Sequence, residues 1–228
     1  MQAVILAAGR GTRMKKLTED TPKPLLVVDE KTLLHHKLAE LPEAIDEVIL
    51  IIGYHGDKIR VALGEECEGK KIRYVEQDTL DGTAGSLWRA KDFLSGRFVV
   101  LNGDDLYGRE DVELVIESDD WIVGAAQSLE GGKIALDEEG RVTDFVEGKR
   151  TELAPTSTNL FGLDVRVFEY PLIPKAEGSS EYGLPQTVLA ASKASGIPLK
   201  TITTSFWLQV TAPEDLARTE EALRVRKK

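Results

Sequence analysis

Five consecutive residues, Gly9-Arg10-Gly11-Thr12-Arg13, combine two glycines, two guanidiniums and a hydroxyl. Glycine lets main-chain N–H groups come close to a ligand. Successive N–H groups flanked by arginine suit a polyanion such as a triphosphate. A lysine held between prolines follows, Pro22-Lys23-Pro24. Proline fixes its own φ and restricts the residue before it, so Lys23 sits on a stiffened backbone, as a charge that must be aimed requires. Two better-known phosphate motifs are excluded. Met14 stands where a dinucleotide fingerprint needs its third glycine, and no Gly-Lys-Ser/Thr follows the loop.

Further along the chain are three groups that could share a site with this loop. Asp104, in Asn102-Gly103-Asp104-Asp105, is suited either to holding a hard cation such as Mg²⁺ or to bonding its own turn. Its neighbour Asp105 is expected to point away and to be structural. Gln77, in Glu76-Gln77-Asp78, offers a donor and an acceptor side by side and could pair with a base edge. Gly82-Thr83, just beyond it, opens a helix, either as a second N–H-rich site or simply as its cap. Gly132, Glu147 and Lys149 could bind sugar hydroxyls, or could belong to a solvated charged loop. His35, His36 and His55 show no metal-ligand spacing, and the single cysteine, Cys67, has no partner for a disulfide.

These groups need elements to carry them. The uncharged run Ala3–Ala7 reads as a buried parallel strand that delivers the glycine loop. After it come a helix over Lys31–Leu41, a strand at Glu47–Ile52, a helix at Asp57–Leu63, a strand at Ile72–Glu76 and a helix over Gly82–Phe93. A strand at Phe98–Leu101, a helix at Val112–Glu117 and a strand at Trp121–Ala126 complete the run. This alternation predicts a mostly parallel, doubly wound, Rossmann-like α/β sheet, with ligands at the C-terminal ends of the strands. The pattern then loosens. A hairpin is expected over Lys133–Asp137 and Arg141–Val146, a loop over Glu147–Ser157, a strand at Leu160–Leu163 and a helix at Leu184–Lys193. A strand at Leu199–Thr203 and a helix over Pro213–Arg226 close the chain. Residues 1–126 and 199–228 are therefore read as one core and 127–198 as a smaller inserted lobe, within a single domain.

The 228 residues are 42% hydrophobic and carry a net charge of −10. Such an acidic chain is not expected to bind nucleic acid or an anionic membrane, so the cations of the opening loop form a local concentration. No apolar run reaches the roughly 18 residues of a membrane span. Met1 leads straight into the strand without a signal sequence, so a cytoplasmic location is expected.

Taken together, Leu6-Ala7-Ala8-Gly9-Arg10-Gly11-Thr12-Arg13-Met14 with Pro22-Lys23-Pro24-Leu25 resembles the sugar-1-phosphate nucleotidylyltransferases. Supporting parts are Glu76-Gln77, Gly82-Thr83-Ala84, Asn102-Gly103-Asp104, Asp144-Phe145-Val146-Glu147, and Trp207 followed by Pro213-Glu214-Asp215-Leu216. The resemblance implies transfer of a nucleotidyl group from an NTP to a sugar 1-phosphate, with release of pyrophosphate and with Mg²⁺ as cofactor. It implies that Leu6, Ala8, Gly9, Gly11 and Thr12 hold the nucleotide and that Arg13 neutralises the departing pyrophosphate. Lys23 would bridge the two substrates, Gln77 and Gly82 would read the base, and Thr83 would be a further nucleotide contact. Gly132, Glu147 and Asn159 would take the sugar, and Asp104 the metal. The Gln77 pattern is similar to that of members using UTP or dTTP. A homo-oligomer is compatible with this reading.

The sequence departs from the family at four places. Gln209 stands where a second metal-binding aspartate is expected, and Ala212 replaces a threonine helix cap. Glu147-Gly148-Lys149 replaces Glu-Lys-Pro, and Ser157-Thr158-Asn159 replaces Asn-x-Gly. No β-helical extension follows, so no acetyl transfer is expected. The departures leave two alternatives open: a non-catalytic nucleotide-sugar-binding protein on the same scaffold, or a transferase acting on a non-sugar phosphate such as phosphocholine.

Overall fold

The computed structural model describes residues 1–128, 132–146 and 154–226. Strand β1 (Gln2–Leu6) lies at the heart of the main sheet. A small hairpin, β2 (Val27–Val28) and β3 (Lys31–Thr32), leads into α1 (Leu33–Ala39). Next come β4 (Glu47–Ile52), α2 (Gly56–Leu63), β5 (Glu66–Cys67), β6 (Lys70–Glu76), α3 (Gly82–Trp88) and β7 (Arg97–Asn102). The chain continues through β8 (Asp105–Tyr107), α4 (Arg109–Glu117), β9 (Trp121–Ser128), β10 (Lys133–Leu136), β11 (Val142–Val146) and β12 (Ala154–Asp164). It ends with α5 (Leu184–Ser195), β13 (Leu199–Thr203), β14 (Trp207–Gln209) and α6 (Glu214–Arg226).

β1 pairs in parallel with both β4 and β7, and β4 in parallel with β6. The mostly parallel α/β sheet expected from the sequence is therefore present. Alternate residues of each central strand face opposite layers. Val4, Ile49, Ile51, Phe98 and Val100 pack under α3 and α5. Ala3, Ile5, Val48, Leu50, Val99 and Leu101 pack with residues of α1, α2 and α4. Both faces are covered, which is why these strands read as uninterrupted apolar runs. β12 runs antiparallel between β7 and β9, and β9 pairs in parallel with β13. The segment 127–198 thus contributes β10, β11 and β12 to the main sheet.

Several boundaries differ from expectation. Lys31 and Thr32 pair with Val28 and Val27, so α1 begins at Leu33, with the Thr32 hydroxyl accepting from His35 N–H. α3 stops at Trp88, where Arg89 and Ala90 bond back to the Ser86 and Leu87 carbonyls in 3-10 fashion; Lys91–Phe93 is a separate turn. The polar stretch read as loop up to Ser157 becomes strand from Ala154, because β9 supplies main-chain partners from Ala125 to Ser128. The missing threonine cap at Ala212 is offset by Asp215, whose carboxylate accepts from Thr211 N–H at 2.7 Å and Ala212 N–H at 2.8 Å.

Candidate active site

A cavity of about 610 Å³ opens where β1, β6 and β7 end, lined by Leu6–Thr12, Lys23, Gln77, Gly82, Thr83, Asp104 and Asn159, among others. The three parallel strands thus bring most of the residues singled out in the sequence to one place. Gly11 is left-handed, with φ 62°, and a Cβ there would stand 2.9 Å from the Lys23 Cβ. Only glycine lets the loop close over Lys23. Among the described residues none accepts a bond from the N–H groups of Gly9, Arg10 or Gly11, which leaves them free for an anion. Gly103, just after β7, also needs to be glycine: its N–H donates to the Leu6 carbonyl at 2.9 Å, and a Cβ would lie 2.5 Å from that oxygen.

Lys23 begins a 3-10 turn, Lys23–Leu25, locked by Leu25 N–H to the Pro22 carbonyl at 2.8 Å. Its side chain is buried, and its ammonium donates to Asp104 Oδ2 at 2.7 Å, whereas the Asp104 side chain is 41% exposed and lines the cavity. No cluster of three or more His, Cys, Asp or Glu is found among the described residues. Asp104 nonetheless fits Mg²⁺, which is commonly bound by one or two carboxylates with substrate phosphates completing its shell. Gln209 lies on β14, opposite Asp105, and is not among the described residues that line the cavity.

Gln77 is buried. Its Nε2 donates to Asp81 Oδ1 at 2.8 Å and to the Gly82 carbonyl, and its Oε1 accepts from Ser86 Oγ at 2.8 Å. Both donor hydrogens are engaged, so what the amide still offers is one lone pair on Oε1. Gly82 has φ 93°, and a Cβ there would meet the Tyr182 carbonyl oxygen at 2.4 Å. That carbonyl accepts from Ala84 N–H, and Thr83 Oγ1 accepts from Leu184 N–H at 3.0 Å. Gly82 and Thr83 therefore dock the segment before α5 against α3.

Other expectations are distributed differently. Arg13 is exposed and not among the described lining residues, whereas Arg10 is. Gly132 is described but stands off the lining. Glu147 and Lys149 lie outside the described residues. Asn159 lines the cavity with φ 55°, a left-handed conformation that asparagine tolerates better than most residues. The histidines bond to protein groups: His36 to the Val28 carbonyl, His35 to Thr32 and His55 to the Glu19 carbonyl.

Sequence reasoning missed the wall formed by Lys175, Glu181, Tyr182, Gly183, Pro185 and Gln186. The Gly183-Leu184-Pro185 helix start marks where that wall turns, but not that it faces the cavity. It also missed Lys37. This side chain is 2% exposed, and its ammonium donates to the Asn102 carbonyl. Burial pushes its pKa down, with Asp105 and Asp104 opposing and Lys23 adding to the fall. Burial pushes Asp105 up, and Asp104 adds to the rise while Lys37 opposes it. Lys37 shares the helical stripe of Leu33, Leu34, Leu38 and Leu41, and a lysine within an apolar stripe is the signal that could have exposed it.

A family profile for nucleotidyl transferases matches residues 2–170. The bifunctional protein GlmU of Methanocaldococcus jannaschii is 27% identical over 228 residues, covering 98% of this chain and 54% of that protein; the chain thus spans about half the length of the GlmU relatives it matches. The UTP–glucose-1-phosphate uridylyltransferase AglF of Haloferax volcanii is 26% identical, with 98% of this chain and 97% of that protein covered. Among solved structures, a putative glucose-1-phosphate thymidylyltransferase from Bacillus anthracis in complex with a sucrose superimposes with a TM-score of 0.82 and 25% identity. The match covers 98% of this chain and 95% of that one. No helix among the described residues is long and apolar enough to cross a membrane. The resemblance carried by the opening motif is borne out, and the chain belongs to the nucleotidyl transferase family of enzymes.

Proposed function

We propose that this enzyme transfers a nucleotidyl group from an NTP, with UTP or dTTP favoured, to a sugar 1-phosphate, releasing pyrophosphate and forming an NDP-sugar. The observation that carries this reading is the Lys23–Asp104 pair, 2.7 Å apart, in a cavity shared with a glycine loop whose first N–H groups are engaged by none of the described residues. The loop from Gly9 to Thr12 binds the triphosphate, with Leu6 and Ala8 flanking it. Lys23 draws the acceptor phosphate toward the α-phosphate. An acceptor phosphate oxygen attacks the α-phosphorus in line, and the bond to the pyrophosphate oxygen breaks as the new one forms. Arg13 neutralises the charge that accumulates on the leaving pyrophosphate. Asp104 would hold Mg²⁺, which when bound would supply charge neutralisation and orient the triphosphate. The contribution of the chain is positioning and electrostatics, with no covalent intermediate.

The free lone pair on Gln77 Oε1 suits the imide N–H of uracil or thymine, and the bonds that Gln77 donates to Asp81 and Gly82 and accepts from Ser86 fix its direction. Asn159 faces the sugar, and residues 127–198 form the sugar-binding lobe, with Gly132 and Glu147 as further contacts. The enzyme works in the cytoplasm on free substrates. A second reading, transfer to a non-sugar phosphate, is favoured by the position of Gly132 off the cavity lining.

Pyrophosphate release measured across UTP, dTTP, CTP, ATP and GTP tests both readings. The acceptors are glucose 1-phosphate, N-acetylglucosamine 1-phosphate and phosphocholine, each with Mg²⁺. Turnover with UTP or dTTP and a sugar phosphate is expected. Turnover with phosphocholine alone selects the second reading, and nucleotide binding without turnover of any pair overturns both.

A further inference from the structure

We propose that Lys37 is a positioning residue: through the Asn102 carbonyl it holds the Asn102–Asp104 turn so that the Asp104 carboxylate faces the cavity. The proposal rests on the reading of Asp104 as the metal-holding group. The turn is anchored at successive main-chain groups. Gly103 N–H donates to the Leu6 carbonyl at 2.9 Å, and the Asp104 carbonyl accepts from Val210 N–H at 3.2 Å. The Asn102 carbonyl accepts from the Lys37 ammonium, the one charged donor among these anchors. With those main-chain groups engaged, the turn presents the Asp104 carboxylate, paired with Lys23, to the cavity.

The lysine is itself held in place. α1 packs Leu34 and Leu38 into the core beneath the sheet, and this sends the Lys37 stem inward. Its Nζ lies 5.9 Å from the centroid of the Tyr107 ring. Asp105, fully buried, provides the counter-charge. The Asp105 Oδ2 accepts from Asn102 Nδ2 at 3.3 Å and lies 3.3 Å from the Tyr107 hydroxyl, whose hydrogen goes to the Thr158 carbonyl at 2.8 Å. One buried polar network therefore ties α1, β7, β8 and β12 together directly behind the turn. A buried pair of this kind is weak evidence for added stability, because apolar or neutral replacements often serve as well. Its value here lies in fixing one orientation of the turn.

The test compares wild type, Lys37→Met, Asp105→Asn and the double variant. Thermal midpoints are measured, together with Mn²⁺ binding in the presence of α,β-methylene-UTP, read from the loss of the free-Mn²⁺ EPR signal. Lys37→Met alone leaves Asp105 buried without its counter-charge and lowers the midpoint. The double variant removes both charges and regains it. Metal binding is expected to be about tenfold or more weaker in the double variant, as for loss of a residue that orients a ligand. Recovery of wild-type Mn²⁺ affinity along with the midpoint overturns the proposal, as does a wild type that binds no Mn²⁺ with the nucleotide. A wild type that binds Mn²⁺ and nucleotide, loses that binding in the double variant, yet transfers to no acceptor upholds this inference and overturns the proposed function alone.

Discussion

The Lys23 ammonium lies 2.7 Å from the Asp104 carboxylate, although 81 positions separate the two residues in sequence. The lysine is buried and the aspartate is half exposed. Each has an alternative partner in the proposed reaction, phosphate for the lysine and Mg²⁺ for the aspartate. In that reaction the pair would keep both charges compensated until substrate arrives and then exchange its contact for two others. Asp104→Ala is accordingly expected to abolish pyrophosphate release while the circular dichroism spectrum is retained. The cost is a fall of a few degrees in thermal midpoint, since about 1 kcal/mol shifts a chain of this size by roughly 2–4 °C. Surviving turnover would remove Asp104 from the metal site.

Gly82 is the second point of sensitivity. Its φ of 93° and the 2.4 Å approach of a built Cβ to the Tyr182 oxygen leave no room for a side chain. Gly82→Ala is expected to lose about 2–4 kcal/mol in urea denaturation, from backbone strain and overpacking together. It also separates the Tyr182 wall from α3, so KM for the nucleotide should rise in the folded fraction. A variant with wild-type stability and KM would show that the α3–α5 junction has slack.

Much of this was legible in the sequence, and the reasons are specific. The strands Glu47–Ile52 and Leu199–Thr203 keep the bounds expected of them, because an apolar run between charges or turn residues is a local signal. The glycine loop, Lys23, Gln77 and Asp104 converge because each follows, or packs on, the C-terminal end of a parallel strand. The pairing of Asp105–Tyr107 with Trp207–Gln209 was not legible. Three residues carry no periodicity, and the partners lie a hundred positions apart. The engagement of Gln77 by Asp81 and Ser86 was hidden for a related reason, since side-chain bonds depend on how α3 leaves its loop. Lys37 left a local trace, a cation inside a leucine stripe, but its target, the Asn102 carbonyl, is defined only once α1 lies against the sheet.

Asp164 makes a prediction for acid. Burial would raise its carboxyl, but bonds from Arg166 and the Trp121 indole outweigh that and hold it at about 2, below the ordinary 3.8. The indole N–H donates at 2.9 Å and Arg166 Nη2 at 2.6 Å. A carboxyl with a depressed folded pKa stabilises the fold above its unfolded value and loses that contribution as pH falls through the folded one. Arg166 is half exposed, so screening trims the effect to about 1–2 kcal/mol. Asp164→Asn should be less stable than wild type by that amount at pH 7. The gap should close between pH 3.8 and about 2, as followed by urea midpoints. A gap unchanged at pH 2 would mean that the carboxylate is not the stabilising form.

Gln209 is where charge balance and function oppose each other. It stands directly across the β8–β14 pair from Asp105, which is already fully buried beside Asp104. A carboxylate at 209 would be a third acidic group beside these two, with Lys23 and Lys37 to balance them. Like charges at opposed strand positions are destabilising, whereas a divalent cation reverses that sign by drawing on every nearby carboxylate. Gln209→Asp is therefore expected to lower the thermal midpoint in EDTA and to widen the rise in midpoint on adding Mg²⁺. The half-saturating Mg²⁺ concentration for pyrophosphate release should fall as well. The two measurements separate the alternatives. A lower midpoint that Mg²⁺ does not rescue would place residue 209 outside the reach of the metal, and Asp104 would then have to hold it with substrate oxygens alone.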